Sequence, residues 1–175
     1  LPVSLNLKSI GDYAFYDCDK LLTFFGADSL STIGKGAFKG CDTLFGISGC
    51  KNVLSFGEEC FADCKQLGNV SMGDKLTTLG TACFSGCEKL QTVHLSNLLT
   101  AIPDRCFYNC YTLSNLTVPN GVTKIGNMAF FNCIKLSILT IPGTGITSIA
   151  ADSFAGVPLA NLQVWYKAVD GQSYL

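Results

Sequence analysis

The sequence predicts an α/β repeat solenoid of about seven coils, and three observations carry that prediction. Phenylalanine recurs at Phe15, Phe38, Phe61, Phe84, Phe107, Phe130 and Phe154, with five consecutive spacings of 23 residues and a last one of 24. Three residues after each comes Cys18, Cys41, Cys64, Cys87, Cys110 or Cys133, with Val157 in the seventh copy. Leu21, Leu44, Leu67, Leu90, Leu113 and Leu136 follow six residues after, and Leu159 arrives one residue early. Self-similarity at a fixed period of this size is the signature of stacked supersecondary units, each unable to bury its apolar face alone.

Each unit opens with a short strand. Leu67-x-x-Val70-x-Met72 recurs as Leu90-x-x-Val93-x-Leu95, Leu113-x-x-Leu116-x-Val118 and Leu136-x-x-Leu139-x-Ile141. The last three positions alternate as a half-buried strand does, and Pro119 and Pro142 then end it. A second extended piece follows, typified by Val122-Thr123-Lys124-Ile125. Its apolar columns run Leu7, Leu30, Val53, Leu76, Leu99, Val122, Ile146 and Ile10, Ile33, Phe56, Leu79, Ile102, Ile125, Ile149. Glycine usually comes next (Gly11, Gly34, Gly57, Gly80, Gly126), with Pro103 and Ala150 as departures, which fits a turn. The last element, Ala-Phe-x-x-Cys, places Phe and Cys at i and i+3 and predicts a brief helical turn with both on one face. Like strands of adjacent coils then lie ~4.8 Å apart around one continuous interior.

Composition narrows the function classes. The chain has 175 residues, 48% hydrophobic and 14% charged, with 12 basic and 13 acidic residues and one histidine. That is too apolar for a disordered segment, and it lacks the basic excess of a nucleic-acid binder, so no nucleic-acid partner is expected. No apolar run reaches the ~18 residues of a membrane span, and no direct membrane insertion is expected. The chain begins at Leu1 with no methionine, charged leader or signal-like segment, the pattern of a mature chain or an excised part.

The columns Leu-x-x-Leu-x-Leu and Ile-Gly-x-x-Ala-Phe-x-x-Cys-x-x-Leu resemble the BspA-like class of leucine-rich repeat over residues 5–164. The resemblance implies one leucine-rich repeat domain over residues 1–175, a right-handed arc with a parallel sheet on its concave side. It also implies a surface or secreted protein that recognises host proteins, matrix components or other cells. The class supplies no catalytic residues, so no catalytic or cofactor site is expected. The strand at Gly26 and that at Gly49 match less well, because glycine replaces an apolar residue there.

Nine of the ten cysteines fall in two repeat columns, six after Phe-x-x and three (Cys60, Cys83, Cys106) in the small-residue position before phenylalanine. The column before phenylalanine also holds alanine and serine and the other also holds Val157, so the sites call for a small buried group. Stacked cysteines have parallel Cβ vectors, which do not converge as a disulfide needs. Buried free thiols are expected. Pairs such as Cys83/Cys87 have no histidine or carboxylate column beside them, and no metal site is expected. Cys50 lies outside both columns and is expected to be exposed or partnered.

Two surfaces are candidates for partner binding, by a protein or glycan ligand. The strand alternation turns outward one column through Asn69, Thr92, Asn115, Ile138 and Asn161, and a second through Phe25, Ser48, Ser71, His94, Thr117, Thr140 and Gln163. Phe25, His94 and Ile138 stand out from these small polar neighbours. Asn69-Val70-Ser71 and Asn115-Leu116-Thr117 are acceptor sequons, relevant only in a eukaryotic secretory route, where a glycan on Asn69 or Asn115 would block that face. On the turn side Tyr108, Tyr111, Phe131 and Ile134 form a candidate apolar patch for a partner or for self-association, the competing reading being partial burial against the neighbouring turn. Catalysis finds little support, since one histidine offers no triad and the column of Asp12, Glu58 and Asp104 also holds Lys35, Thr81 and Asn127. The expected role is non-enzymatic adhesion or recognition, and the alternative is a structural spacer. Residues 165–175 are expected to cap the last coil or begin a further segment, with Leu1–Leu5 a cap at the other end.

Overall fold

The computed structural model describes residues 6–142, 145–158, 163–167 and 173–174. The alternating triplets form one long sheet: β2 (Thr23–Phe25), β4 (Gly46–Ser48), β6 (Asn69–Ser71), β8 (Thr92–His94), β10 (Asn115–Thr117), β12 (Ile138–Pro142), β14 (Gln163–Lys167) and β15 (Ser173–Tyr174). Strands β2 to β14 are parallel neighbours, and β15 ends the sheet antiparallel to β14. The second extended piece supplies β1 (Ser9–Ile10), β3 (Thr32–Ile33), β5 (Ser55–Phe56), β7 (Thr78–Leu79), β9 (Ala101–Ile102), β11 (Lys124–Ile125) and β13 (Ser148–Ile149). These pair parallel in two groups, β1–β3–β5–β7 and β9–β11–β13. Register follows the 23-residue period, as in Val70↔Val93, until the offset grows to 24 at Lys124↔Ser148 and 25 at Ile138↔Gln163. Seven long parallel strands bound six complete turns, one fewer than the seven coils expected.

No helix occurs among the described residues, so the α/β class and the short helical turns are corrected to a β-solenoid. The reason lies in the backbone around each phenylalanine. The residue two before it has positive φ in six coils (Tyr13, Gly36, Glu59, Ala82, Arg105, Met128), as does the residue two after in seven (Asp17, Gly40, Asp63, Gly86, Asn109, Asn132, Gly156). Left-handed residues four apart break any helix. They also aim the intervening peptides along the solenoid axis. Phe61 N–H donates to the Cys83 carbonyl of the next coil at 2.8 Å, and Phe84 N–H to that of Cys106 at 2.9 Å. The peptides between them close turns within the coil, as Cys64 N–H does on the Phe61 carbonyl at 3.3 Å. The segment therefore behaves as another inter-coil ladder. The column two after phenylalanine holds only Asp, Asn and Gly, the residues that tolerate this conformation. At the column two before, non-glycine residues cost on the order of 1 kcal/mol each.

All seven phenylalanines form one parallel stack. Ring centroids of successive coils are 5.0 to 5.7 Å apart, at 4 to 12° between planes. Phe38, Phe61, Phe84, Phe107 and Phe130 are fully buried, while Phe15 and Phe154 at the two ends are partly buried. The cysteine column packs beside them and satisfies their carbonyls. Cys41, Cys64, Cys87, Cys110 and Cys133 each donate Sγ–H to the phenylalanine carbonyl 26 residues earlier, at 3.0 to 3.2 Å. Alanine could fill this column but could not make that bond. All ten cysteines are free, and all but the partly exposed Cys18 are buried.

Burial pushes the thiols up. Cys41 rises to about 11 and Cys133 to about 12, with desolvation the largest cause in both. Cys50 is a correction, because it is neither exposed nor partnered by another cysteine. It is 5% exposed, faces the Ser48 carbonyl at 3.7 Å, and is raised by desolvation to about 11. Its position between two strands was the misleading cue, since the chain there folds inward and not over the rim.

The carboxylate column has a structural use. Asp12 and Asp104 each accept a backbone N–H from the next coil, of Lys35 and Asn127, at 2.7 Å. The first coil leaves Leu7, Leu22 and Phe25 exposed. The proposed cap at Leu1–Leu5, the seventh-copy Leu159, Asn161 of the outward column and, within the proposed cap at 165–175, residues 168–172 and 175 lie outside the described residues.

Candidate recognition surfaces

Strand alternation alone positions the sheet-face candidates. Val70, Val93, Leu116 and Leu139 point into the core with 6% exposure or less, so their neighbours on each strand must point out. His94 does so beside Ser71 of β6, with which it is in register. Phe25 is 77% exposed at the β2 edge of the sheet, and Ile138 is 38% exposed opposite Asn115. The structure thus places Phe25, His94 and Ile138 on one face but on strands β2, β8 and β12, so they do not form one cluster.

His94 lines a shallow depression of about 330 Å³ with Thr92, Asn97, Asn115, Thr117 and the buried Pro119. Both sequon asparagines lie on this face. Asn69 Oδ1 accepts a 2.6 Å hydrogen bond from Thr92 Oγ1, whereas Asn115 borders the depression and is exposed. Among the described residues the side chains of His94, Asn115 and Thr117 make no hydrogen bond to protein, which leaves their polar groups to solvent or ligand. A comparable depression of about 360 Å³ opens two coils earlier, between Ser48 and Lys51 of one turn and Ser71 and Asp74 of the next.

The turn-side candidates are brought together, but mainly against one another. Tyr108 stacks on Phe131 with centroids 4.8 Å apart and planes 7° from parallel, and the Arg105 guanidinium lies 5.9 Å from the Tyr108 ring. Tyr108, Tyr111 and Phe131 are half-buried, and only Ile134, at 50%, is largely open. Tyr108 and Phe131, half of the patch, are therefore used in coil-to-coil stacking.

Sequence reasoning missed a third feature on the same side. Lys35–Glu58 and Lys65–Asp42 pair at 2.9 Å, each with partners 23 residues apart, and Lys39–Glu59 pairs at 2.9 Å as well. The hydrogen bonds that the lysines donate to these carboxylates raise all three lysines. The signal was present in the sequence, because opposite charges one period apart become in-register neighbours. Exposed pairs of this kind add little to stability and are screened by salt. Among the described residues no group of three or more His, Cys, Asp or Glu is placed to hold a metal ion, and no helix is long and apolar enough to cross a membrane.

Comparison with known proteins agrees with this geometry. Residues 2–110 and 55–172 match the family model of the BspA type leucine rich repeat region, which finds six copies. Among solved structures, a leucine rich repeat protein of T. pallidum superposes with a TM-score of 0.78 at 24% identity, over 89% of this chain and 73% of that one. A leucine rich cell surface protein of Faecalibacterium prausnitzii gives 0.65 at 19%, over 93% of this chain and 70% of that one. The pneumococcal vaccine antigen PcpA gives 0.53 at 18%, over 95% of this chain and 56% of that one. At these identities the likeness establishes the fold alone. No curated protein matches the chain.

Proposed function

The chain belongs to the BspA-type leucine-rich repeat family, and from that premise we propose that it is a non-enzymatic recognition module of a cell-surface or secreted protein, binding a protein or glycan through the outward face of its long sheet. The observation that carries this reading is the contrast between the two sides of each long strand. From β6 to β12 the inward side chains are sealed, while the outward ones between β4 and β10 form a polar face with an open depression at His94, on whose rim the His94, Asn115 and Thr117 side chains make no hydrogen bond to protein. Rigid strands hold such groups at fixed spacing, which limits the ordering cost of binding. The neighbours described as a cell surface protein and a vaccine antigen support a surface or secreted location. Self-association through Tyr108, Tyr111, Phe131 and Ile134 is the less favoured surface, since the Tyr108–Phe131 stack already uses two of the four and Tyr111 is half-buried.

The test is surface plasmon resonance against matrix proteins and polysaccharides, comparing the chain with His94→Ala/Thr117→Arg on the sheet face and Tyr111→Glu/Phe131→Asp on the turn side. Loss of about tenfold or more in affinity, roughly 1.4 kcal/mol, is expected for the first variant and little change for the second. The reverse pattern would move the site to the turn side. Binding to nothing would leave the chain as a structural spacer. In a eukaryotic secretory host, glycosylation at Asn115 would cover the depression, and its removal would then restore binding.

A further inference from the structure

We infer that the ligand of the long-sheet face is an uncharged polysaccharide chain lying along the solenoid axis, across the strands rather than parallel to them. The inference rests on the recognition reading above and adds the chemistry and direction of the ligand. The first support is charge. No outward position of β2, β4, β6, β8, β10 or β12 carries Asp, Glu, Lys or Arg. Charges stand only on the borders, with exposed Lys20, Lys89 and Lys135 before the strands and exposed Asp28, Lys51 and Asp74 after them. An acidic polysaccharide or a nucleic acid would meet no cation on the strip itself, and a charged peptide would lose solvation there without a counter-charge.

The second support is the kind of group on offer. Between β4 and β10 the outward residues are hydroxyls, carboxamides, one imidazole and a glycine. These both donate and accept, as the hydroxyl groups of a sugar do. The stable core of a protein interface is built instead from aromatic, methionine and arginine anchors seated in apolar pockets. The depression at His94 is shallow, and its rim of Thr92, His94, Asn97, Asn115 and Thr117 is polar.

The third support is shape. Each strand offers three residues, roughly 10 Å along its length, whereas six strands at ~4.8 Å spacing extend the strip to about 24 Å across them. The two depressions lie two coils apart, about 10 Å along the axis, and both open between the ends of neighbouring long strands, with Lys51 and Asp74 at the border of the second only. A regular polymer that follows the axis meets like groups at like intervals. One that follows a strand leaves the face after three residues.

Affinity electrophoresis and titration calorimetry of the full chain supply the test, with mannan, laminarin, soluble starch and xyloglucan as neutral probes, heparin and hyaluronate as acidic ones, and matrix proteins as a third group. We expect retardation by at least one neutral polysaccharide, unchanged between 0.05 and 0.5 M salt because no ion pair forms, and none by heparin or hyaluronate. Asn115→Ala and Thr117→Val should each weaken binding about fivefold or more, and the same substitutions at Asn69 and Ser71, two coils away, should also weaken a long chain but not a disaccharide. Far-UV circular dichroism identifies any variant that has lost its fold, and Tyr111→Glu serves as the variant that keeps binding. Salt-sensitive binding to heparin, or binding to proteins only, overturns this inference and leaves the recognition reading standing. Binding to none of the three groups overturns both.

Discussion

Phe84→Ala is expected to lower the free energy of unfolding by about 3–5 kcal/mol, the range for emptying a phenylalanine site in a packed core. The ring is fully buried between Phe61 at 5.4 Å and Phe107 at 5.7 Å, and Phe56 meets it edge-on at 6.3 Å. The site cannot collapse easily, because the coils on both sides are held at strand spacing by three ladders of backbone hydrogen bonds. A solenoid is coupled only through neighbouring coils, so a void at the middle of the stack weakens the link between its two halves. Urea denaturation should show the lowered midpoint together with a broader transition. Phe15→Ala, at the partly exposed end of the stack, should cost clearly less. Equal losses at Phe15 and Phe84 would mean that the stack is not the unit of stability.

Alkaline unfolding is the second large effect. Eight thiols, those of Cys41, Cys50, Cys60, Cys64, Cys87, Cys106, Cys110 and Cys133, are raised by burial above their ordinary value near 9. Above about pH 8.5 the unfolded chain gives up these protons while the folded chain keeps them, so the unfolded state binds fewer protons and stability falls as pH rises. The stabilisation is complete below the unfolded value. It drains between there and the folded values, about 11 for Cys41 and Cys50 and about 12 for Cys133. Each thiol contributes a slope of about 1.4 kcal/mol per pH unit in that window. The slopes of the buried thiols add, so the total is of the order of the whole stability of a typical domain, about 5–15 kcal/mol. Under reducing conditions the protein should therefore unfold within about one to two pH units above 8.5. The variant Cys60→Ala/Cys83→Ala/Cys106→Ala, which repeats the alanine found at Ala37 and Ala129 of the same column, should show a shallower pH slope. A protein stable at pH 11 would contradict the burial of the thiols.

The repeat made most of the fold legible. Period, strand register, the phenylalanine stack and the fate of the column cysteines all follow from residues that recur every 23 positions. The same columns named His94, Phe25 and Ile138 as outward residues, since alternation fixes which side of a strand faces the core. Two features were misread for separate physical reasons. Ala-Phe-x-x-Cys has helical spacing, but the Asp/Asn/Gly column two residues after phenylalanine encodes left-handed backbone, and that conformation wins. Cys50 looked exceptional because it has no cysteine column, yet its neighbours in register, Gly73 and Ser96, are themselves partly or fully buried. On the turn side the columns fitted both a patch open to a partner and burial against the neighbouring turn, and the Tyr108–Phe131 stack shows that side chains there also pile along the axis.

The measurement that bears most directly on the stacked, sealed interior is the number of thiols that react with iodoacetamide at pH 8 in the native protein, read by mass spectrometry against a denatured control. The coil stack predicts modification at Cys18 alone on a short time scale, and at all ten cysteines after denaturation. Rapid modification of Cys64, Cys87 and Cys110 without denaturant, or disulfides linking successive coils, would contradict it.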